Sequence, residues 1–414
     1  MKKIHLFLSL LASCGIILLS CQPDSQSPRE LKTGMWLGQL QLREEAALPF
    51  QFTLSEEGEG YSMIIFNADE EIEVEEIERK GDSLFIKMPV FDSEFTLSIE
   101  ENGELKGEWY EYTRGIDYRI PFLAKQGDFP RFAAEKEAEQ ISKLYSVTFS
   151  PNLEGEAVAI GEFSQLNEKV IGTFQTETGD YRYLEGIMDG NKLKLSAFDG
   201  SHAFLFIAEL RGDSISGNFW SGSHWLETWI GKADPEASLR SPDELTYLKD
   251  GYTSFEFKFP NLEGDSVSFT DPLFQDKVSI IQIMGSWCPN CMDETRLYAK
   301  WYEKYQKQGL EIVGIAFERT SKGMPQAIKN IQRMSKRLGA TYPFLIAATN
   351  NDKSVASEKF PMLNKIISFP TSIFVDKKGR VRKIHTGFNG PGTGDIYTRY
   401  VEDYEAFIEK MLDE

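Results

Sequence analysis

The hydrophobic pattern separates the chain into an N-terminal part of short strands and a C-terminal part of mixed elements. Up to residue 231, apolar and polar residues alternate with period two, as in 72–74 and 95–99, between turns that contain glycine. This alternation predicts antiparallel all-β structure, barrel or sandwich-like, with one face of each sheet buried. After residue 252, uninterrupted apolar runs alternate with segments of helical periodicity. They predict an α/β domain.

The predicted elements of the C-terminal part are seven strands and three helices. The strands are expected at 255–259, 267–269, 278–284, 311–317, 343–347, 372–375 and 381–384, and the helices at 292–308, 325–338 and 395–412. The last two strands flank Asp376-Lys377-Lys378-Gly379, whose composition is typical of a hairpin turn. Because a short hairpin joins antiparallel strands, the sheet is expected to be mixed.

The N-terminal β region contains an internal repeat. Residues 81–87 resemble 190–196, and residues 103–109 resemble 212–220. A repeat of about 110 residues exceeds a solenoid unit and predicts a duplicated β domain. The two copies could also close together into one barrel, which would remove exposed strand edges.

Composition and turn residues predict the domain boundaries. We expect a signal peptide at 1–20, a tether at 21–32, β repeats at 33–126 and 143–231, a linker at 232–251 and the α/β domain at 252–414.

An Ala- and Glu-rich segment at 132–144 predicts one short helix. The acidic run 69–78 alternates with apolar residues, so we expect a solvated strand face rather than a metal site. The aromatic clusters near Trp109 and Trp225 are expected to fill β cores, with a ligand cavity or partner surface as the alternative.

The first twenty residues have the pattern of a bacterial lipoprotein signal. Two lysines precede an apolar run at 4–19, and Leu18-Leu19-Ser20-Cys21 resembles the end of such a signal. Cys21 is therefore expected to carry a lipid anchor, with the body in the cell envelope, facing the periplasm or the exterior. Cys14 would leave with the signal, so two of the four cysteines would remain as thiols.

Those two cysteines form the motif Trp287-Cys288-Pro289-Asn290-Cys291, between the apolar run 278–284 and the helical pattern of 292–308. At a helix N-terminus, unpaired N–H groups and the helix dipole favour a thiolate, which is the attacking species. We expect Cys288 to be an accessible nucleophile. Cys291, one turn later and less exposed, suits the resolution of a mixed disulfide. Pro289 fits the first helical position.

Two structural roles for the cysteine pair are weaker alternatives. A zinc site needs about four ligands, and the sequence has no second C-x-x-C pair and no H-x₃₋₅-H pattern. A static disulfide across so short a loop would add little stability. The sequence therefore predicts redox chemistry that uses only the two sulfur atoms, with no metal and no cofactor.

A second motif, Phe369-Pro370-Thr371, opens the predicted strand 372–375. With Trp287-Cys288-x-x-Cys291 before it and Asp376 and Gly379 after it, this pattern resembles the thioredoxin fold, and the segment 255–269 resembles the lead-in of its TlpA-type, membrane-tethered thiol:disulfide branch. The resemblance implies that Pro370 is cis, packs against the disulfide and presents neighbouring backbone to the substrate. It also implies that Trp287 belongs to the site.

The resemblance implies a role for Glu294 as well, because it matches a family glutamate that relays protons near the resolving cysteine. The alternative is an ordinary first-turn acid favoured by the helix dipole. Peroxiredoxins are disfavoured because Gly285 stands where they place a threonine, and copper chaperones are disfavoured because they use C-x-x-x-C. The glycine-rich loop 387–394 lacks G-K-[ST] and is expected to be a flexible loop near the site.

The charge balance limits the class of partner. The chain has 64 acidic and 45 basic residues, for a net charge of −19, so nucleic acid is an improbable partner. The expected function is an extracytoplasmic thiol:disulfide oxidoreductase that reduces envelope proteins and is reset by a membrane thiol donor. The alternative is an envelope ligand- or partner-binding lipoprotein whose C-terminal domain is a redox sensor or a passive module.

Overall fold

The computed structural model describes residues 28–58 and 60–414. The predicted signal peptide and the expected lipidation site, Cys21, lie outside the described residues. Among the helices that are described, none combines the length and the apolar composition needed to cross a bilayer.

The N-terminal β region forms two separate antiparallel sheets rather than one shared barrel. The first sheet contains β1 (Gly34–Arg43), β2 (Ala46–Glu57), β3 (Gly60–Asn67), β4 (Glu70–Val74), β5 (Ile77–Lys80), β6 (Ser83–Lys87), β7 (Ser93–Ile99), β8 (Leu105–Glu111) and β9 (Arg119–Gln126). Its strand order is β4-β3-β2-β1-β9-β8-β7-β6-β5. Within the described residues, β4 and β5 are its two edges.

The second sheet repeats this order and closes on itself. It contains β10 (Leu144–Phe149), β11 (Ala157–Leu166), β12 (Lys169–Thr176), β13 (Gly179–Asp180), β14 (Leu184–Asp189), β15 (Lys192–Phe198), β16 (Ala203–Arg211), β17 (Ser214–Ser221) and β18 (Trp225–Ala233). The order is β11-β10-β18-β17-β16-β15-β14-β12-β13, and an additional β11–β12 pairing completes the ring. Trp109 and Trp229 are buried in the two cores, as expected, whereas Trp225 is half exposed.

The C-terminal part is a five-stranded mixed sheet with helices. Its elements are α1 (Pro242–Leu245), β19 (Lys258–Pro260), β20 (Ser266–Ser268), β21 (Val278–Met284), α2 (Pro289–Tyr305), β22 (Leu310–Phe317), α3 (Met324–Leu338), β23 (Phe344–Ala348), α4 (Lys353–Lys359), β24 (Thr371–Val375), β25 (Val381–Thr386) and α5 (Asp395–Asp413). The main sheet has the order β23-β22-β21-β24-β25, with β21 parallel to β22 and antiparallel to β24. Gly379 turns the β24–β25 hairpin at a φ of 74°, in the left-handed region that glycine tolerates.

Two sequence-based expectations about local structure are wrong, those for residues 132–144 and 255–259. The segment 132–144 is not helical, because its backbone N–H groups bond outward, as Glu139 does to the carbonyl of Gly190. The helix of the cysteine motif begins at Pro289, as expected for that proline, and the pattern expected from residue 292 covers its later turns. The strand expected at 255–259 is displaced to Lys258–Pro260, and its register partner is β20.

The acidic run 69–78 is also more than a solvated face. Glu70 is largely buried and forms an ion pair with Arg182 of the second sheet. Glu73, Glu75 and Glu76 lie against Arg333 and Arg337 of α3, at 2.9–3.6 Å. The run therefore lines contacts between the first sheet, the second sheet and the α/β part.

Candidate redox site

The site begins where the central strand β21 ends. All seven residues of β21 are buried, and Cys288 follows four residues later as the N-cap of α2, with Pro289 in the first helical turn. The sulfur of Cys288 accepts a hydrogen bond from the backbone N–H of Cys291, at 3.3 Å. A sulfur at an N-cap lies beside unpaired N–H groups and the positive end of the helix dipole.

Both cysteines are free thiols, and both are buried. Cys288 is 6% exposed and Cys291 is fully buried. Burial, followed by the hydrogen bond and the charge of Cys288, raises the pKa of Cys291 well above its ordinary value. Cys291 therefore needs a proton acceptor before it can attack. The expected accessibility of Cys288 is wrong, because neighbouring elements cover its sulfur.

Pro370 and Trp287 lie beside Cys288. The Phe369–Pro370 peptide bond is cis, and the Cys288 thiol donates to the carbonyl of Phe369 at 3.4 Å. The indole nitrogen of Trp287 donates to the carbonyl of Phe317 at 2.9 Å, and its ring packs edge-on against Phe369 with centroids 5.9 Å apart. The structure thus brings together residues that are about 80 positions apart in the sequence.

Glu294 lies fully buried on α2, one turn after Cys291. Its carboxylate accepts hydrogen bonds from Gln282 at 2.8 Å, Ser372 at 3.0 Å and Tyr298 at 3.1 Å. Burial raises its pKa to about 7, against the opposing effect of these hydrogen bonds. A carboxyl group with this pKa can exchange a proton near neutral pH, which an ordinary exposed first-turn acid does not do.

A second buried carboxyl group, Glu318, was not identified from the sequence. It accepts hydrogen bonds from the backbone N–H of Ser286 at 2.8 Å and from its hydroxyl at 2.6 Å. Burial raises the pKa of Glu318 to about 7. Glu318 directly follows β22, so its only sequence signal is an acid at the end of an apolar run.

The second β sheet also reaches the site, which the sequence did not indicate. Residues 175–183, here called the capping hairpin, include the turn between β12 and β13. The side chain of Asn290, inside the cysteine motif, donates to the carbonyl of Asp180 at 3.3 Å and to that of Phe388 at 3.1 Å. Phe388 is 1% exposed, so the loop 387–394 is packed at this point. Outside the hairpin, Ser201 donates to the carbonyl of Trp287 at 3.0 Å.

The side chains of the site do not resemble a metal centre. In the described parts of the chain, no three or more His, Cys, Asp and Glu side chains are grouped so as to hold a metal ion.

A Cβ added at Gly285 would lie 2.2 Å from the indole nitrogen of Trp287. The threonine that peroxiredoxins place at this position therefore does not fit without movement of the tryptophan.

The chain is similar to several known proteins. Residues 251–384 match the AhpC/TSA family. The thiol-disulfide oxidoreductase ResA of Geobacillus thermodenitrificans is 30% identical over 146 residues, which are 35% of this chain and 73% of the relative. ResA of Geobacillus kaustophilus is 27% identical over 170 residues, 41% of this chain and 81% of the relative. A solved thiol:disulfide interchange protein of the thioredoxin family, from Chlorobium tepidum, is 20% identical with a TM-score of 0.29, covering 42% of this chain and 99% of its own.

Proposed function

Because the chain belongs to the thioredoxin-like family of thiol-disulfide oxidoreductases that includes ResA, we propose that it reduces disulfide bonds in proteins of the cell envelope. The observation that carries this proposal is the position of Cys288 at the N-cap of α2, bonded to the N–H of Cys291 and next to Phe369 and Pro370. Burial raises the pKa of Cys291 well above its ordinary value, so Cys291 suits the second step of a two-step exchange.

In the first step, the Cys288 thiolate attacks one sulfur of the substrate disulfide. A mixed disulfide forms, and the second substrate sulfur leaves as a thiolate that takes up a proton. Cys291 then gives up its proton and attacks the Cys288 sulfur, which forms the Cys288–Cys291 disulfide and releases the first substrate sulfur. Two electrons pass from the enzyme to the substrate. A membrane dithiol donor then returns two electrons to the enzyme.

The neighbouring residues have distinct roles in this scheme. Glu294 takes the proton of Cys291, since its pKa of about 7 suits this transfer at neutral pH. The backbone beside Pro370 is the surface along which a substrate segment pairs as an added strand. Trp287 holds the loop before the cysteines through its bond to Phe317.

The proposal also includes the location and the organisation of the chain. The N-terminal pattern supports a TlpA-type lipoprotein anchored through Cys21, with a tether at 21–32. The two β sheets support β repeats at 33–126 and 143–231, a linker at 232–251 and a thioredoxin-like domain at 252–414. Together these features describe a redox domain held at a membrane surface outside the cytoplasm.

A trapping experiment tests the chemistry. Reduced Cys291→Ala protein is incubated with a disulfide-containing envelope extract, and covalent adducts are identified by mass spectrometry. Adducts that disappear on reduction are expected, joined through Cys288. The Cys288→Ala, Cys291→Ala double variant is the matched control and should form none. If no adduct forms at any thiol-to-disulfide ratio, the proposed mechanism is wrong.

A further inference from the structure

The capping hairpin contacts three separate segments around the cysteine motif. The hydroxyl of Ser368, two residues before Pro370, donates to the carbonyl of Thr178 at 2.8 Å. The carbonyl of Asp180 accepts from Asn290, and the carboxylate of Asp180 accepts from the backbone N–H of Gly390. The hairpin thus bridges the proline loop, the cysteine motif and the loop 387–394. It therefore lies against segments that flank Cys288, whose side chain is only 6% exposed.

An arginine anchors the base of this hairpin to the active-site helix. Arg182 is buried and forms ion pairs with Asp293 of α2 and Glu70 of β4, and it lies 3.4 Å from Asp199. Its guanidinium also donates to the carbonyl of Pro289 at 3.4 Å. Removing one partner from a buried ion pair leaves an uncompensated charge and is strongly destabilising. Arg182 therefore ties the second β sheet directly to the first turn of α2.

The approach of the hairpin to the cysteine motif is close enough to require glycine. Gly179 has a φ of 135°, and a Cβ added there would lie 2.0 Å from the side-chain nitrogen of Asn290.

The contacts of the hairpin with the site are hydrogen bonds and ion pairs, which water can replace. A polar contact of this kind separates more readily than an apolar core. A cavity of about 360 Å³ beside Arg182, lined by Tyr183 and Arg296 among others, leaves room next to the anchor.

We propose that the capping hairpin selects the substrates of Cys288 by limiting access to its sulfur. With the hairpin docked, small disulfides and narrow, extended disulfide-containing segments reach Cys288. A disulfide on the surface of a folded protein reacts only after the hairpin has moved off the cysteine motif. Val90 and Phe91 of the first sheet pack into the core of the α/β part, and Tyr181 of the hairpin packs against Phe174 and Phe219 of the second sheet. The movement is therefore that of the turn at the tip of the hairpin, residues 176–180, rather than of the whole β region. The inference rests on the proposed thiol–disulfide exchange.

The test compares a small disulfide with a chemically similar disulfide on the surface of a folded protein. Reduced protein reacts with hydroxyethyl disulfide, and separately with the mixed disulfide of mercaptoethanol and a single surface cysteine of a small folded carrier protein. Dithiothreitol serves as an unhindered reference thiol. For each thiol, the rate with the carrier-bound disulfide is divided by the rate with hydroxyethyl disulfide. This ratio should be lower for the wild-type protein than for dithiothreitol. Gly179→Ala should raise its rate with the carrier about tenfold, because the rate follows the open fraction, and should change its rate with the small disulfide little.

Two control variants separate hairpin docking from general damage. Gly115→Ala introduces the same change at a similar φ of 139° where a Cβ meets nothing within 4 Å, so both rates should stay at the wild-type values. Arg182→Gln should also raise the carrier rate, whereas Arg131→Gln should not, because Arg131 is an equally buried arginine that pairs with Glu185 away from the cysteines.

The outcomes distinguish a failure of the proposed function from a failure of the access limit. If hydroxyethyl disulfide does not react, the proposed function fails. If the ratio of the carrier rate to the hydroxyethyl disulfide rate is the same for the wild type and for dithiothreitol, the hairpin does not limit access and the inference is overturned. This comparison of the wild-type ratio with that of dithiothreitol supports or contradicts the inference even if a variant does not fold. Equal carrier rates for Gly179→Ala and Gly115→Ala would also contradict it.

Discussion

The hydroxyl of Ser372 donates a hydrogen bond to the carboxylate of Glu294, with 3.0 Å between the oxygen atoms. This bond joins the strand that follows the cis peptide to the helix that carries both cysteines. We predict that Glu294→Gln slows the attack of Cys291 on the mixed disulfide on the order of 100-fold, because the variant lacks the proton acceptor. The first attack by Cys288 should keep its rate. Rapid-quench measurement of mixed-disulfide formation and decay separates the two steps.

The pH dependence and a matched variant sharpen this prediction. In the wild type, the decay rate of the mixed disulfide should rise as the pH increases through about 7, where Glu294 loses its proton. This inflection should be absent from Glu294→Gln. Glu318→Gln is the control, because Glu318 has a similar pKa of about 7 but bonds Ser286 instead. Equal slowing in both variants would show that any buried carboxyl group has the same effect.

The same two carboxyl groups predict how stability changes with pH. Their pKa values are raised on folding, so their contribution to stability is present below pH 4.5 and is lost as the pH rises through about 7. The urea midpoint of the wild type should therefore fall between pH 5 and pH 8. The Glu294→Gln, Glu318→Gln double variant should show a smaller fall, because neither glutamine can ionise. An identical fall in both proteins would assign the pH dependence to other groups.

Trp287 offers a prediction about the loop that precedes the cysteines. Trp287→Phe removes the hydrogen bond to the carbonyl of Phe317 while keeping an aromatic ring against Phe369. We expect a loss of about 1 kcal/mol in the free energy of unfolding, measured by chemical denaturation. Trp225→Phe serves as the control, since Trp225 is half exposed in the second sheet and its change should stay within about 0.5 kcal/mol.

The segment before the α/β domain is docked at Asp243 of α1. Its carboxylate accepts a hydrogen bond from Tyr404 at 2.5 Å and lies 2.8 Å from Nδ1 of His385. Burial alone would raise the pKa of Asp243, but the bonds to His385 and Tyr404 lower it to about 2. We predict that Asp243→Asn costs about 1 kcal/mol at pH 7, a modest value because the carboxylate is partly exposed. The difference should vanish as the pH falls from about 4 towards 2, which thermal unfolding can follow.

The parts of the fold that the sequence predicted best are those with a local signal. The run 278–284 is apolar throughout, so a buried central strand was the natural prediction, and β21 has those bounds. Cys288, Pro289 and Cys291 indicate a helix start by their own chemistry. The prediction of a helix at 132–144 was wrong because it used only the local signal. The Ala and Glu residues of this segment favour a helix locally, whereas contacts with the second sheet determine its conformation.

The capping hairpin had no such signal. Arg182 meets Asp293 across 111 positions and Glu70 across 112, and a pairing of that kind leaves no periodicity in the sequence. Thr178 and Gly179 are ordinary turn residues, so only the assembled structure shows that their turn lies against Ser368 and Asn290. The burial of Cys288 could not be predicted for a similar reason, because its sulfur contacts Phe369, which lies 81 positions away in the sequence.

The first β sheet ends in two strands that have a partner on one side only within the described residues, namely β4 and β5. A strand with a free side is a template on which other chains can add and form aggregates. β4 carries three Glu residues, and β5 carries one Glu, one Arg and one Lys; charged side chains on an edge strand disfavour its pairing with another chain. The acidic residues of β4 therefore protect the protein from self-association, in addition to serving the contacts inside the molecule.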